Sequence, residues 1–151
     1  MISQLFKEIQ DVLFTNLGGK TTVVPRLLIK HASDNDKIPR IVCCQPRRIA
    51  CLKIAQRVSD QLSQLQNSNY TAGHRIMNDV NDRNCNILFS TTGYLVQWLA
   101  KNESALDKIT HFVLDEAHER SVDLDILALL LSRVLKTNPT FKLIIMSVFR
   151  Y

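Results

Sequence analysis

Continuous apolar runs alternate with amphipathic stretches along this chain. Runs at 12–15, 41–44, 87–90, 109–114 and 142–146 lack the in–out alternation of a half-exposed strand, so they read as strands buried on both faces. A weaker strand is expected at 70–76. Ile2, Leu5, Phe6, Ile9 and Leu13 recur at helical spacing and predict an amphipathic helix over about residues 2–10. Further helices are expected over 21–31, 46–65, 93–101 and 124–136, the second burying Ile49, Leu52, Ala55 and Val58 on one face. Pro25 is tolerable only in the first turn of its helix, and Pro46 suits a helix start. Ser121 or Asp123 can cap the last helix, which Asn138-Pro139 stops. Residues 78–86 are polar and turn-like. Regular alternation of buried strands and helices predicts an α/β fold with a mostly parallel sheet covered by helices on both faces. No repeat, linker or low-complexity tract interrupts the pattern, so residues 1–151 are expected to form one domain.

Composition narrows this only a little. With 46% hydrophobic and 22% charged residues, the chain is an ordinary globular one. A net charge of +5 and a pI of about 9.2 give mild support for a polyanionic partner. Cys43, Cys44, Cys51 and Cys85 show no metal-ligand spacing and are expected to be reduced, mostly buried thiols of an intracellular protein, cytoplasmic or nuclear. No signal peptide is read at Met1-Ile2-Ser3-Gln4, and the longest apolar stretch, 126–131, is too short to cross a bilayer. The polar face of residues 2–10 carries too little positive charge for a membrane-surface helix.

Chemistry enters at Asp115-Glu116-Ala117-His118, directly after the strand at 109–114. Two carboxylates at the end of a buried strand suit a magnesium ion and a nucleotide phosphate, because ligands of open α/β sheets bind at the carboxyl ends of strands. A solvated acidic turn is the plainer reading of the pair alone. Gly18-Gly19-Lys20-Thr21-Thr22, far upstream, asks for the same ligand: a strand, a glycine turn, a lysine and a hydroxyl opening a helix is the order of a phosphate loop. The full spacing is not kept, since Phe14 stands where the first glycine belongs and Leu17 where another is common. A left-handed conformation at Leu17 would cost ~1–2 kcal/mol. On this reading Lys20 reaches the phosphates, Thr21 ligates magnesium directly, and Asp115 holds it through water. Glu116 orients or deprotonates the attacking water, and His118 relays the state of the site or simply packs.

Two more strand ends feed helices. Gln45-Pro46-Arg47-Arg48 places two arginines where the helix dipole disfavours cations, which suggests a partner anion such as a nucleic-acid phosphate, against a plain solvated basic end. Ser90-Thr91-Thr92-Gly93 could grip a phosphodiester backbone or serve only as a helix cap. Tyr94 and Trp98 read as packing residues.

Together these stretches resemble the DEAH-box family of ATP-dependent RNA helicases. Residues Asp115-Glu116-Ala117-His118-Glu119-Arg120 look like motif II, Gln45-Pro46-Arg47-Arg48-Ile49-Ala50 like motif Ia, and Ser90-Thr91-Thr92-Gly93 like motif Ib. Gly19-Lys20-Thr21-Thr22, followed by Pro25, looks like the end of motif I, and Ser147 falls where motif III begins. The resemblance implies a RecA-like P-loop NTPase domain, the first of two, using ATP and Mg2+. It implies that Gly18, Gly19, Lys20, Thr21 and Thr22 hold the nucleotide while Arg57 stacks on its adenine. It implies that Arg47, Thr91, Thr92 and Gly93 meet the RNA backbone, with Arg48 nearby, and that Ser147 couples the two sites. Motif III departs from the family pattern: Ser147-Val148-Phe149 stands for Ser-Ala-Thr, without the coupling hydroxyl. Met77 stands where the family usually has arginine. The second RecA-like domain, its arginine fingers and the accessory C-terminal domains do not follow within these 151 residues. Arginine fingers contribute roughly 10³–10⁵ in rate, so the isolated chain is expected to turn over ATP barely and to need a missing second domain or protein partners.

Overall fold

The computed structural model describes residues 12–15, 19–34, 38–64, 69–82 and 84–147. The helix expected over 2–10 lies outside them, as do Leu17, Gly18, the Phe14 side chain, Val148 and Phe149. Seven strands are seen: β1 (Val12–Thr15), β2 (Ile41–Gln45), β3 (Ala72–Ile76), β4 (Asp79–Asn81), β5 (Ile87–Thr91), β6 (His111–Leu114) and β7 (Lys142–Met146). Among the described residues four α-helices join them: α1 (Lys20–Asp34), α2 (Arg48–Ser63), α3 (Thr92–Lys101) and α4 (Val122–Thr137). The sheet order is β1-β7-β6-β2-β5-β3-β4. Every neighbouring pair is parallel except β3 with β4.

The apolar strands behave as their composition requires. All five residues of β2 are buried, which only a strand covered on both faces can achieve. One layer packs Ile29 of α1 and Cys51, Ala55, Val58 and Leu62 of α2 against Cys43, Phe89, Val113 and Ile144. The other packs Leu95 and Leu99 of α3 and Leu124, Leu127 and Leu131 of α4 against Cys44, Phe112, Leu114 and Leu143. Cys43 and Cys44 therefore face opposite layers, as adjacent strand residues must. Burial pushes the Cys44 thiol up to about 12, and Cys43 is likewise raised by burial and then by the nearby Asp115 charge.

Three expectations need correction. Residues 78–86 are not turn alone: β4 pairs with β3 as a hairpin, tight enough that a Cβ on Gly73 would lie 2.2 Å from the Asn81 carbonyl oxygen. Pro25 is the sixth residue of α1, not in its first turn; it removes one rung of the helix while its ring is buried. Ile49, expected on the buried face of its helix, is 70% exposed on α2; a 3-10 segment, Glu103–Lys108, precedes β6. Of the two capping candidates for α4, Ser121 serves: its Oγ accepts from the Leu124 N–H at 3.2 Å.

Candidate functional site

Parallel register brings the carboxyl ends of six strands, β1, β7, β6, β2, β5 and β3, to one rim. Thr15 lies opposite Met146, Cys44 opposite Leu114, and Gln45 opposite Thr91. The chain leaves each strand there into the segments singled out from sequence.

Gly19 has φ +69°, a left-handed turn that a side chain disfavours, and a Cβ there would meet nothing within 4 Å. The requirement for glycine is thus conformational. The Gly19 carbonyl accepts from the Thr22 and Val23 N–H groups at 3.2 Å each, which starts α1 with Lys20 and Thr21 in its first turn. The Lys20 amine is buried and donates to the Ser147 carbonyl at 2.6 Å, just past β7. Thr22 Oγ1 turns back to the Gly19 carbonyl at 3.3 Å.

Asp115 is 2% exposed, and both oxygens of its carboxylate accept hydrogen bonds. Oδ2 accepts from Thr21 Oγ1 at 2.5 Å and from Gln45 Nε2 at 2.6 Å, and Oδ1 accepts from the Glu116 N–H at 2.8 Å. Three donors explain how the carboxylate tolerates burial. Glu116 has φ +52°, a conformation that costs a non-glycine residue about 1–3 kcal/mol and is usually kept for a purpose. Its own N–H is held by Asp115, its carbonyl accepts from the Glu119 N–H at 2.8 Å, and the Ala117 N–H donates to the Met146 carbonyl at 3.0 Å. The turn after β6 is pinned at three points. His118 Nδ1 lies 3.4 Å from Glu116 Oε2, so His118 touches the carboxylate next to the site rather than the site's centre.

The nucleic-acid candidates lie beside this centre. Arg47 precedes α2, is largely exposed, and pairs with Glu119 at 2.6 Å. Arg48 and Arg57 are exposed on α2. Thr91 and Thr92 are buried at the start of α3, and the Thr92 hydroxyl is paired inward with the Cys44 thiol at 3.2 Å. Gly93 faces Asp123, whose Oδ2 would be 3.0 Å from a Cβ there. A cleft of about 300 Å3, lined in part by Thr21, Gln45, Pro46, Arg47, Glu116 and Glu119, joins the two groups of residues.

Gln45, Glu119 and Asp123 escaped the sequence reading as partners in the site. Only Gln45 left a signal there, a polar residue closing a buried strand. Among the described residues no group of three or more His, Cys, Asp or Glu side chains could hold a metal by itself. Magnesium fits that donor set, because it is usually held by one or two protein oxygens together with waters and phosphates.

A RecA-like α/β domain is defined by this sheet and by a lysine–hydroxyl segment facing an acidic strand end. The chain belongs to the DEAD/DEAH box helicase family, whose pattern matches residues 17–148. It is 38% identical over 131 residues to the ATP-dependent RNA helicase DHX30 of Gallus gallus, covering 85% of this chain and 11% of that protein. It is 34% identical over 133 residues to the ATP-dependent DNA/RNA helicase DHX36 of Mus musculus, covering 85% of this chain and 13% of that protein. Its fold is similar to that in the crystal structure of the E. coli DExH-box NTPase HrpB, with a TM-score of 0.74 and 28% identity over 99% of this chain and 18% of that one. The chain thus spans about a tenth of the curated relatives it matches. No described helix is long and apolar enough to cross a membrane.

Proposed function

We propose that this chain is the ATP-binding part, the first RecA-like domain, of an ATP-dependent RNA helicase. It binds Mg-ATP at Lys20, Thr21, Asp115 and Glu116, and an RNA backbone at Arg47 and at Thr91 and Thr92, where main-chain groups at the start of α3 make the contact because the Thr92 hydroxyl is turned inward. The observation that supports this best is the 2.5 Å bond from Thr21 Oγ1 to the buried Asp115 carboxylate, formed between residues 94 positions apart. That bond commits the hydroxyl proton to Asp115 and leaves the oxygen lone pairs for a cation. Magnesium held there would neutralise the phosphate charge. Lys20 exchanges the Ser147 carbonyl for a phosphate oxygen, a stronger charge-assisted partner. Glu116, half-buried and rigidly held, orients or deprotonates the attacking water. RNA phosphate takes Arg47 from Glu119, and no base is read. Arg57 stacks on the adenine, and Ser147 links the nucleotide site to the strip that holds RNA.

The test is titration of a fluorescent adenine nucleotide with magnesium, repeated with Lys20→Ala and accompanied by steady-state ATP turnover. Saturable binding that Lys20→Ala abolishes is expected, with turnover barely above background whether or not RNA is added. RNA-stimulated turnover by the 151 residues alone would refute the need for a second domain. Absence of nucleotide binding in both proteins would favour a second reading, an inactive module that binds RNA or protein without ATP. Phe14 and Leu17, in place of loop glycines, motivate that alternative.

A further inference from the structure

Gln45 closes β2, is 3% exposed, and carries no charge to offer a phosphate. A buried amide needs a hydrogen-bond partner, and this one donates Nε2 to Asp115 Oδ2 at 2.6 Å. The bond follows from register. Cys44 lies opposite Leu114, and the Asp115 N–H donates to the Cys44 carbonyl at 3.2 Å, so Gln45, the last residue of β2, lies beside Asp115, the first residue after β6. Thr21 reaches the same oxygen from α1. The two donors are not equivalent: Thr21 also has to face the cation, whereas Gln45 has no second task at Asp115. Gln45 is also opposite Thr91 on its other side and runs directly into Pro46 and Arg47.

We propose that Gln45 is a positioning residue for the magnesium carboxylate, holding Asp115 in place and tying it to the segment that meets the RNA backbone. This rests on the nucleotide reading above. Its role is to fix one rotamer of Asp115, so that the cation meets a preset oxygen. Partners of a metal-binding carboxylate commonly change metal affinity or activity by roughly 10–100-fold when removed. The same side chain spans two strands. A displacement of residues 46 and 47 by RNA therefore reaches Asp115 through one amide.

The experiment measures the magnesium concentration that half-saturates fluorescent ADP binding in wild type, Gln45→Leu and Gln45→Met, with binding in EDTA measured alongside. Both variants lose the donor to Asp115 and should need roughly 10–100-fold more magnesium while binding in EDTA is unchanged. A purely structural role would not produce that split from EDTA. Thermal melts establish that each variant is folded, and if Gln45→Leu is not, Gln45→Met, closer in shape to glutamine, decides. An unchanged magnesium requirement in the folded variants would overturn the positioning role alone. Wild-type protein that binds no nucleotide would overturn the nucleotide reading and this proposal with it.

Discussion

At the amino-terminal rim of the sheet, Arg40, Trp98 and Lys108 help to line a cleft of about 370 Å3; at the carboxyl-terminal rim, the cleft beside Thr21 and Glu116 is about 300 Å3. The larger space lies at the rim without the chemistry. What separates the rims is the polar groups they bury. Among the described residues, Lys20, Gln45, Ser90, Thr91, Thr92 and Asp115 are buried at or just beyond carboxyl strand ends, and only Ser132 of α4 is a buried polar residue elsewhere. Each such group costs about 1–3 kcal/mol to bury unless it is bonded. The fold therefore concentrates desolvated polar groups at one rim, where Gln45 bonds Asp115 and Lys20 and Ser90 bond main-chain carbonyls, while the other rim offers exposed cations. Preorganised dipoles identify a site better than volume does.

Three measurements would break or sharpen that contrast. The largest effect is expected from Thr21→Val, which removes a hydrogen bond to a buried charge worth about 1.5–3 kcal/mol. Magnesium-dependent nucleotide binding should weaken by roughly 10–150-fold at the same figure, whereas Lys108→Ala at the opposite rim should leave the titration unchanged. Equal losses would erase the distinction between the rims.

A smaller effect concerns acid. His111 begins β6 at the amino-terminal rim, and burial, then the neighbouring charges of His31 and Lys142, hold its pKa below the usual 6.5. The unfolded chain then binds more protons than the folded one, so this residue's contribution to stability is present above pH 6.5 and is lost as pH falls below it. The midpoint of thermal unfolding should drop in that window, and His111→Gln should flatten this part of the drop. A profile unaltered by His111→Gln would assign the acid sensitivity to other groups.

The smallest effect separates two links between motifs Ia and II. Gln45–Asp115 is buried, but in Arg47–Glu119 the arginine side chain is 75% exposed. A double-mutant cycle with Arg47→Ala and Glu119→Ala, read by urea unfolding, should give a coupling of about 0.2–1 kcal/mol that vanishes near 1 M salt. A coupling that survives high salt would mean the pair is shielded from solvent in solution.

Sequence carried the architecture wherever burial was two-sided. Residues 41–44 and 142–146 are continuous apolar runs, and the structure pairs both in parallel. β4 was illegible because Asp79, Val80 and Asn81 are all exposed; its pairing depends on the turn at Met77, φ +45°, and on the space that Gly73 leaves. Lys20, Thr21 and Asp115 could be singled out as candidates because phosphate and metal chemistry restricts which residue types can serve, and Thr21 does meet Asp115. The Gln45 amide and the inward Thr92 hydroxyl could not, because each bond depends on which strands become neighbours. Short-range pattern says nothing about that. Even the departure at Pro25 has this origin: propensity places it in a first turn, and burial against the sheet overrides that placement.

The alternating thiols of β2 have a practical consequence. Cys43 sits under α1 and α2, and Cys44 under α3 and α4, both held protonated and sealed from reagents in the closed fold. Alkylation of one or the other would timestamp the lifting of its own helical cover, giving the native chain a separate clock for each side.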